Sequence, residues 1–169
     1  MRGMPPTMET GAELVIDVVR RGGASAIYHV LDEADVQTIM QHPMTAIASD
    51  GRLVQPGEGQ PHPRWYGTFP RVLGEYVREK GVITLEEAVR KMTSLPADHI
   101  GLPERGVLAE GMIADVVVFD PETVADRATF QDPHQYPAGI DWVIVNGVVA
   151  VEDGSFRDAR GGRILRRNQ

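Results

Sequence analysis

Hydrophobic positions recur along the first hundred residues with two alternating rhythms. Ala12, Val15, Ile16 and Val19 share one face of a helix over residues 9–21, and Gly22-Gly23 supplies its left-handed stop. Ala26 to Val30 reads as a short strand. An acidic-started helix follows over 32–40, where Asp32, Glu33 and Asp35 suit the positive end of the helix dipole. Thr45 to Gly51 is a second apolar strand that ends in a carboxylate, Asp50. Arg52 to Gly67 carries no periodicity and reads as a long loop. Val72, Leu73, Tyr76 and Val77 define a helix over 71–80 stopped by Gly81. Thr84 and Glu87 form a capping box ahead of the stripe Leu85, Ala88, Val89 and Met92, and Pro96 opens a further short turn.

Near residue 101 the texture changes to glycine-punctuated strands. Gly106 to Gly111 is a turn, and Val116 to Phe119 reads as a buried strand. Trp142 to Val145, then Asn146-Gly147, then Val148 to Val151 predict a hairpin, because Asn-Gly accommodates the two positive φ values of a type I′ turn. The pattern therefore predicts an α/β portion over 1–101 followed by a β portion over 102–169. Residues 1–7 and the basic end Arg160 to Arg167 read as irregular, solvated termini.

Composition narrows the classes. The chain has 169 residues, 42% hydrophobic and 24% charged, enough for a buried core. A complete (β/α)8 barrel needs about 250 residues, so the α/β portion is too short to be one. There is no cysteine, which excludes disulfides, thiolate metal sites and a cysteine nucleophile. No run approaches the roughly 18 apolar residues of a membrane span, and no signal-peptide order opens the chain, so a cytoplasmic protein is expected. The net charge of −7 argues against a nucleic-acid partner.

Three places could carry chemistry. Asp50 ends an apolar strand before a glycine and a long loop, where catalytic side chains project in parallel α/β architectures; a turn or capping aspartate is the plainer alternative. His62-Pro63-Arg64 lies in that loop, stiffened by Pro61 and Pro63, and Arg64 offers a planar fork for a carboxylate; an ordinary surface arginine is the alternative. Tyr28 ends the preceding strand, on the same side as Asp50 if the strands are parallel, and packing is the alternative there. The five histidines show neither H-x-H nor H-E-x-x-H spacing.

The string Gly106-Val107-Leu108-Ala109-Glu110-Gly111-Met112-Ile113-Ala114-Asp115, with Val143 to Gly147, resembles the C-terminal signature of metal-dependent amidohydrolases. Ala48-Ser49-Asp50-Gly51, His62 to Leu73 and Ala88 to Ala97 resemble the N-acyl-D-amino-acid deacylases more narrowly. The resemblance runs from about residue 10 onward. It implies the last βα units of a TIM-like barrel plus the C-terminal strands of a small β domain. It also implies a zinc cofactor and a small N-acyl-D-amino-acid substrate. By the same resemblance Asp50 is general base and metal ligand, Arg64 pairs with the substrate carboxylate, and Tyr28 and Leu31 line the substrate pocket. His62 matches the family string without an assigned role, while Ser49 and Gly51 shape the strand end.

The H-x-H metal pair and the other metal ligands of that family are absent from this sequence. The resemblance is equally consistent with a truncated gene product, a fragment or one piece of a split protein. It implies a chain inactive alone, with an open sheet edge inviting self-association or pairing with an N-terminal barrel segment. The competing expectation is a non-catalytic amidohydrolase-like remnant or assembly module that binds no metal. A cyclic-amide hydrolase is a third, disfavoured by the His62 to Leu73 string.

Overall fold

The computed structural model describes residues 5–24 and 26–166. It divides into two compact units, residues 1–30 and 31–169. Residues 1–4 and Arg167, included in the expected irregular termini, lie outside the described residues.

The first unit holds one helix, α1 (Met8–Arg20). The Thr7 hydroxyl accepts from the Thr10 amide at 3.2 Å and caps it. Gly22 and Gly23 take positive φ, and the Gly23 amide donates to the Val18 carbonyl, ending the helix as its sequence predicts. The apolar face of α1 buries nothing within the unit. Residues 26–30 are exposed and have no ladder partner among the described residues, so the expected strand is not formed. A strand exists only through its neighbour, and composition supplies none.

The second unit builds its core between three helical segments. α2 (Glu33–Gln41) starts at Asp32, whose carboxylate accepts from the Ala34 amide at 2.8 Å. α3 (Arg64–Arg71) runs into a π-helical segment (Val72–Glu79), so the helix begins seven residues earlier than periodicity predicts. Proline at the helix start is favourable, since the N–H it lacks is one that the first turn leaves unbonded. Pro70, inside α3, removes the N–H that would bond the Tyr66 carbonyl, and the widened i→i+5 bonding begins two residues later. α4 (Leu85–Met92) and α5 (Ser94–Ile100) follow. Met40, Val72, Leu73, Tyr76, Ala88 and Val124 are buried together.

The β portion is an antiparallel sheet in the order β1 (Val116–Phe119), β2 (Ile140–Val145), β3 (Val148–Glu152), β4 (Ser155–Phe156). Asn146 (φ 52°) and Gly147 (φ 80°) make the expected turn, and Asp153 (φ 49°) and Gly154 (φ 69°) make a second one that brings in β4. β1 is less buried than its Val-Val-Val-Phe run predicts: Val117 and Val118 stand about half exposed, because β1 is an edge strand and, among the described residues, the sheet meets the core through Phe119 and its partner Ile140.

The segment after β1 crosses the helices at close range. Gly74 lets the Val124 carbonyl approach so near that a β-carbon there would sit 2.7 Å from it. Gly139, at φ 70°, lies against the Val124 backbone, with a would-be β-carbon 2.5 Å from its nitrogen. Arg78 then donates to the carbonyls of Pro121 and Val124 at 3.1 and 2.7 Å.

α4 anchors the extended segment 45–50. Lys91 is fully buried, and its ammonium donates to the carbonyls of His42 and Thr45 and pairs with Glu87. Its own carbonyl accepts from the Ile47 amide at 3.0 Å. Arg90 adds a bond to the Pro43 carbonyl at 2.6 Å. The stripe predicted for α4 is thus rotated: Ala88 is buried, Val89 is exposed, and Lys91 takes a core place. Thr84 caps the helix as predicted, accepting from the Glu87 amide, but the Glu87 carboxylate is taken by Arg90 and Lys91. Residues 45–50 alternate half-buried and exposed with period two, as a strand would, yet among the described residues they have no ladder partner.

Three outcomes follow for stability. Gly139→Ala adds a side chain at positive φ against backbone, and should cost about 3 kcal/mol in urea unfolding. Lys91→Met takes the ammonium from the Thr45 carbonyl and leaves the His42 carbonyl only the Thr45 amide, and should cost about 1–3 kcal/mol in the same assay. The guanidinium of Arg90, with Lys91, holds the Glu87 carboxyl at about 2, below its ordinary 4.5. Its contribution is therefore complete above about pH 4.5 and lost as pH falls towards 2. Melting temperature against pH should show that loss, and Glu87→Gln should flatten it.

Candidate functional site

The extended segment held by α4 ends at Asp50, which adopts φ 48°, a left-handed conformation that aspartate tolerates better than most residues. The turn beyond it is shaped by Ser49, whose hydroxyl accepts from the Gly51 amide at 3.1 Å. Arg64, first residue of α3, reaches back across the loop. Its Nη2 pairs with Asp50 Oδ2 at 2.7 Å, and its Nε donates to the Asp50 carbonyl at 3.4 Å. One guanidinium thus holds both the side chain and the strained backbone of the carboxylate.

Two of the four residues singled out in the sequence are therefore brought together. Leu31 is exposed at the surface just before the Asp32 cap, and Tyr28 is exposed in the first unit. Arg64 does not lie in an irregular loop but on the first turn of a helix, and this is what aims it.

His62 prepares that turn. Its Nδ1 accepts from the Arg64 amide at 3.0 Å, and its carbonyl accepts from the Trp65 amide at 3.0 Å. Its ring meets Phe130 edge-on, centroids 5.2 Å apart. Gln60 ties the same region down by donating to the Phe130 carbonyl at 2.8 Å.

A second group of residues supports the loop and escapes sequence reasoning. The Tyr66 hydroxyl lies 2.9 Å from His134 Nδ1, and His134 Nε2 lies 3.3 Å from the Gly59 carbonyl. A carbonyl only accepts, so Nε2 carries the ring proton and Nδ1 accepts from Tyr66. Burial raises the Tyr66 phenol above its ordinary range, keeping it a donor. Tyr66 packs on Tyr136, and Tyr136 on Phe156 of β4. Nothing in local spacing links 59–66 to 130–136; the aromatic richness of both stretches is the only trace. The indole Nε1 of Trp65 is buried without a hydrogen-bond partner among the described residues.

A metal does not fit the residues present by themselves. Among the described residues no group of three or more His, Cys, Asp or Glu could hold an ion, whereas protein zinc sites draw on three or four ligands. No helix among the described residues is long and apolar enough to cross a membrane.

Comparison with known proteins places the chain among relatives. A D-aminoacylase of Alcaligenes xylosoxydans xylosoxydans is 51% identical over 144 residues, which is 85% of this chain and 29% of that protein. A D-aminoacylase crystal structure superimposes with a TM-score of 0.80 at 48% identity, over 91% of this chain and 34% of the other. An N-acyl-D-glutamate deacylase from Bordetella bronchiseptica, solved with zinc and a phosphonate mimic of the tetrahedral intermediate, superimposes with a TM-score of 0.69 at 47% identity, over 80% of this chain and 31% of that one. The chain thus spans about a third of the length of these relatives, matching their C-terminal part, with the last units of a TIM-like barrel and strands of the small β domain. Residues 3–151 match the amidohydrolase family, and to that family the chain belongs.

Proposed function

We propose that this chain supplies the proton-handling carboxylate and the carboxylate-binding arginine of an N-acyl-D-amino-acid deacylase. The observation that carries the reading is the 2.7 Å pair between Asp50, at the end of an anchored extended segment, and Arg64, at the start of a helix. In this reading residues 1–101 belong to the barrel and 102–169 to the small β domain. The rest of the barrel, with zinc and its other ligands, comes from polypeptide outside this sequence. The buried, unpartnered indole N–H of Trp65 supports a surface that further chain or ligand completes. Tyr28 and Leu31 are assigned to the substrate pocket.

The chemistry asked of these residues is simple. Asp50 accepts a proton from the attacking water and returns it to the leaving amine. The Arg64 fork pairs with the substrate's α-carboxylate. Arg64 is occupied by Asp50 until substrate arrives, but both side chains are well exposed, 41% and 85%. Such a pair is worth about 0–1 kcal/mol, so the substrate carboxylate displaces Asp50 at little cost. Displacement frees the base at the moment the substrate is bound.

A second reading, a non-catalytic module that binds no metal, is favoured by one observation: the described residues hold no metal-ligating group of three. A fusion separates the two. With the N-terminal two thirds of the D-aminoacylase it matches placed ahead of it, the chain should hydrolyse N-acetyl-D-amino acids with added zinc. Residues 1–169 alone should not. In the fusion, Asp50→Asn should lower kcat by about 10²-fold with little change in melting temperature. Arg64→Lys should raise KM by about tenfold or more, since lysine keeps the charge and loses the fork. A folded fusion without activity, or one indifferent to Asp50→Asn, sinks the catalytic reading and leaves the module.

A further inference from the structure

We propose that His62 is a positioning residue for Arg64, acting through the hydrogen bond that its Nδ1 accepts from the Arg64 amide. This rests on the reading that Arg64 binds the substrate carboxylate.

A helix leaves its first N–H groups without intrahelical partners. α3 begins after Pro63, whose side chain can accept nothing, so no side-chain cap comes from the cap position itself. His62 supplies what is missing. Its ring nitrogen takes the Arg64 amide at 3.0 Å, and its carbonyl takes the Trp65 amide at 3.0 Å. The first two N–H groups of the helix are thereby both spent on one residue. Accepting at Nδ1 places the ring proton on Nε2 in the neutral imidazole.

The ring is itself held. Phe130 meets it edge-on at 5.2 Å and 81°, and the Phe130 carbonyl is fixed by Gln60. The chain of restraint runs from the 130s segment to the imidazole, to the Arg64 amide, to the α-carbon from which the guanidinium is aimed. At its far end Arg64 must satisfy two targets on Asp50 at once, a carboxylate oxygen at 2.7 Å and a carbonyl at 3.4 Å. A planar fork tolerates little displacement of its base, and misplacements of about 1 Å are costly in such sites. The imidazole therefore does for Arg64 what an asparagine carboxamide does in an Asx turn, accepting from the amide two residues on. That equivalence gives the test its discriminating variant.

Two substitutions in the fusion enzyme separate the acceptor from the ring. His62→Phe keeps the ring against Phe130 and removes the acceptor. His62→Asn keeps an acceptor at the same reach and removes the ring. His62→Phe should raise KM for N-acetyl-D-amino acids about tenfold and leave kcat within about twofold, whereas His62→Asn should stay within about twofold in both. When the substrate carboxylate is blocked as an amide, the His62→Phe penalty should vanish. In residues 1–169 alone, amide hydrogen exchange at Arg64 should be protected in the parent and in His62→Asn, and lose protection in His62→Phe. Wild-type KM in His62→Phe, equal loss in both variants, or a penalty that persists with blocked substrate overturns the proposal. If Arg64→Lys raises KM and His62→Phe does not, the positioning role alone falls. If neither changes KM, the assignment of Arg64 to the substrate carboxylate falls with it.

Discussion

Lys91 has no side-chain surface in contact with solvent, yet it carries an ammonium group. Removing such a charge from water costs several kcal/mol unless its donors are met. Here the carbonyls of His42 and Thr45 and the carboxylate of Glu87 meet them. All three partners lie at one junction, where α2 ends, the extended segment begins and α4 passes beneath. The arrangement specifies place more than it adds stability, because only one packing of α4 on that turn satisfies the ammonium. The Ile47 amide, bonded to the carbonyl of the same lysine, extends that fixation towards Asp50.

Asp50 and Arg64 are thus delivered to each other from two independently secured directions. One is the extended segment tied to α4. The other is the first turn of α3, capped by His62 and buttressed by the Phe130 and His134 contacts. The glycines at 74 and 139 contribute at a distance, by letting the 120s segment press onto the helix without displacing it. The residues that would do chemistry are exposed and weakly paired, while those that position them are buried or cross-braced. A surface ion pair between well-placed partners can be exchanged for a substrate group, which a deeply buried pair could not.

Local signals were legible in the sequence wherever one residue type fixes a backbone conformation. Gly22-Gly23, Thr84 and Asn146-Gly147 each sit at the helix end, cap or turn that their chemistry requires. Asp153-Gly154 carried the same turn signal and encodes β4, although two residues make too short a strand for alternation to register. Prolines at 63 and 70 disguised α3 as loop, since a proline that starts a helix and one inside it look alike in sequence. The burial of Lys91 was illegible because its partners are backbone carbonyls some 46 to 49 residues away. Asp50 and Arg64 were both singled out, but their pairing depends on the helix start that periodicity missed. The strands expected at 26–30 and 45–51 have the right texture and no neighbour to pair with among the described residues.

Native-state hydrogen exchange at the Ile47 amide tests the central claim most directly. An extended segment without a ladder should exchange freely, unless the bond to Lys91 and the buried ammonium beside it hold it as part of the core. The account predicts that Ile47 in residues 1–169 opens with a free energy close to that of global unfolding, and that Lys91→Met removes this protection while core amides in α4 lose no more than the global destabilisation. Exchange of Ile47 near the rate of an unstructured amide in the parent protein would contradict the account, because Asp50 would then have no fixed position from which to meet Arg64.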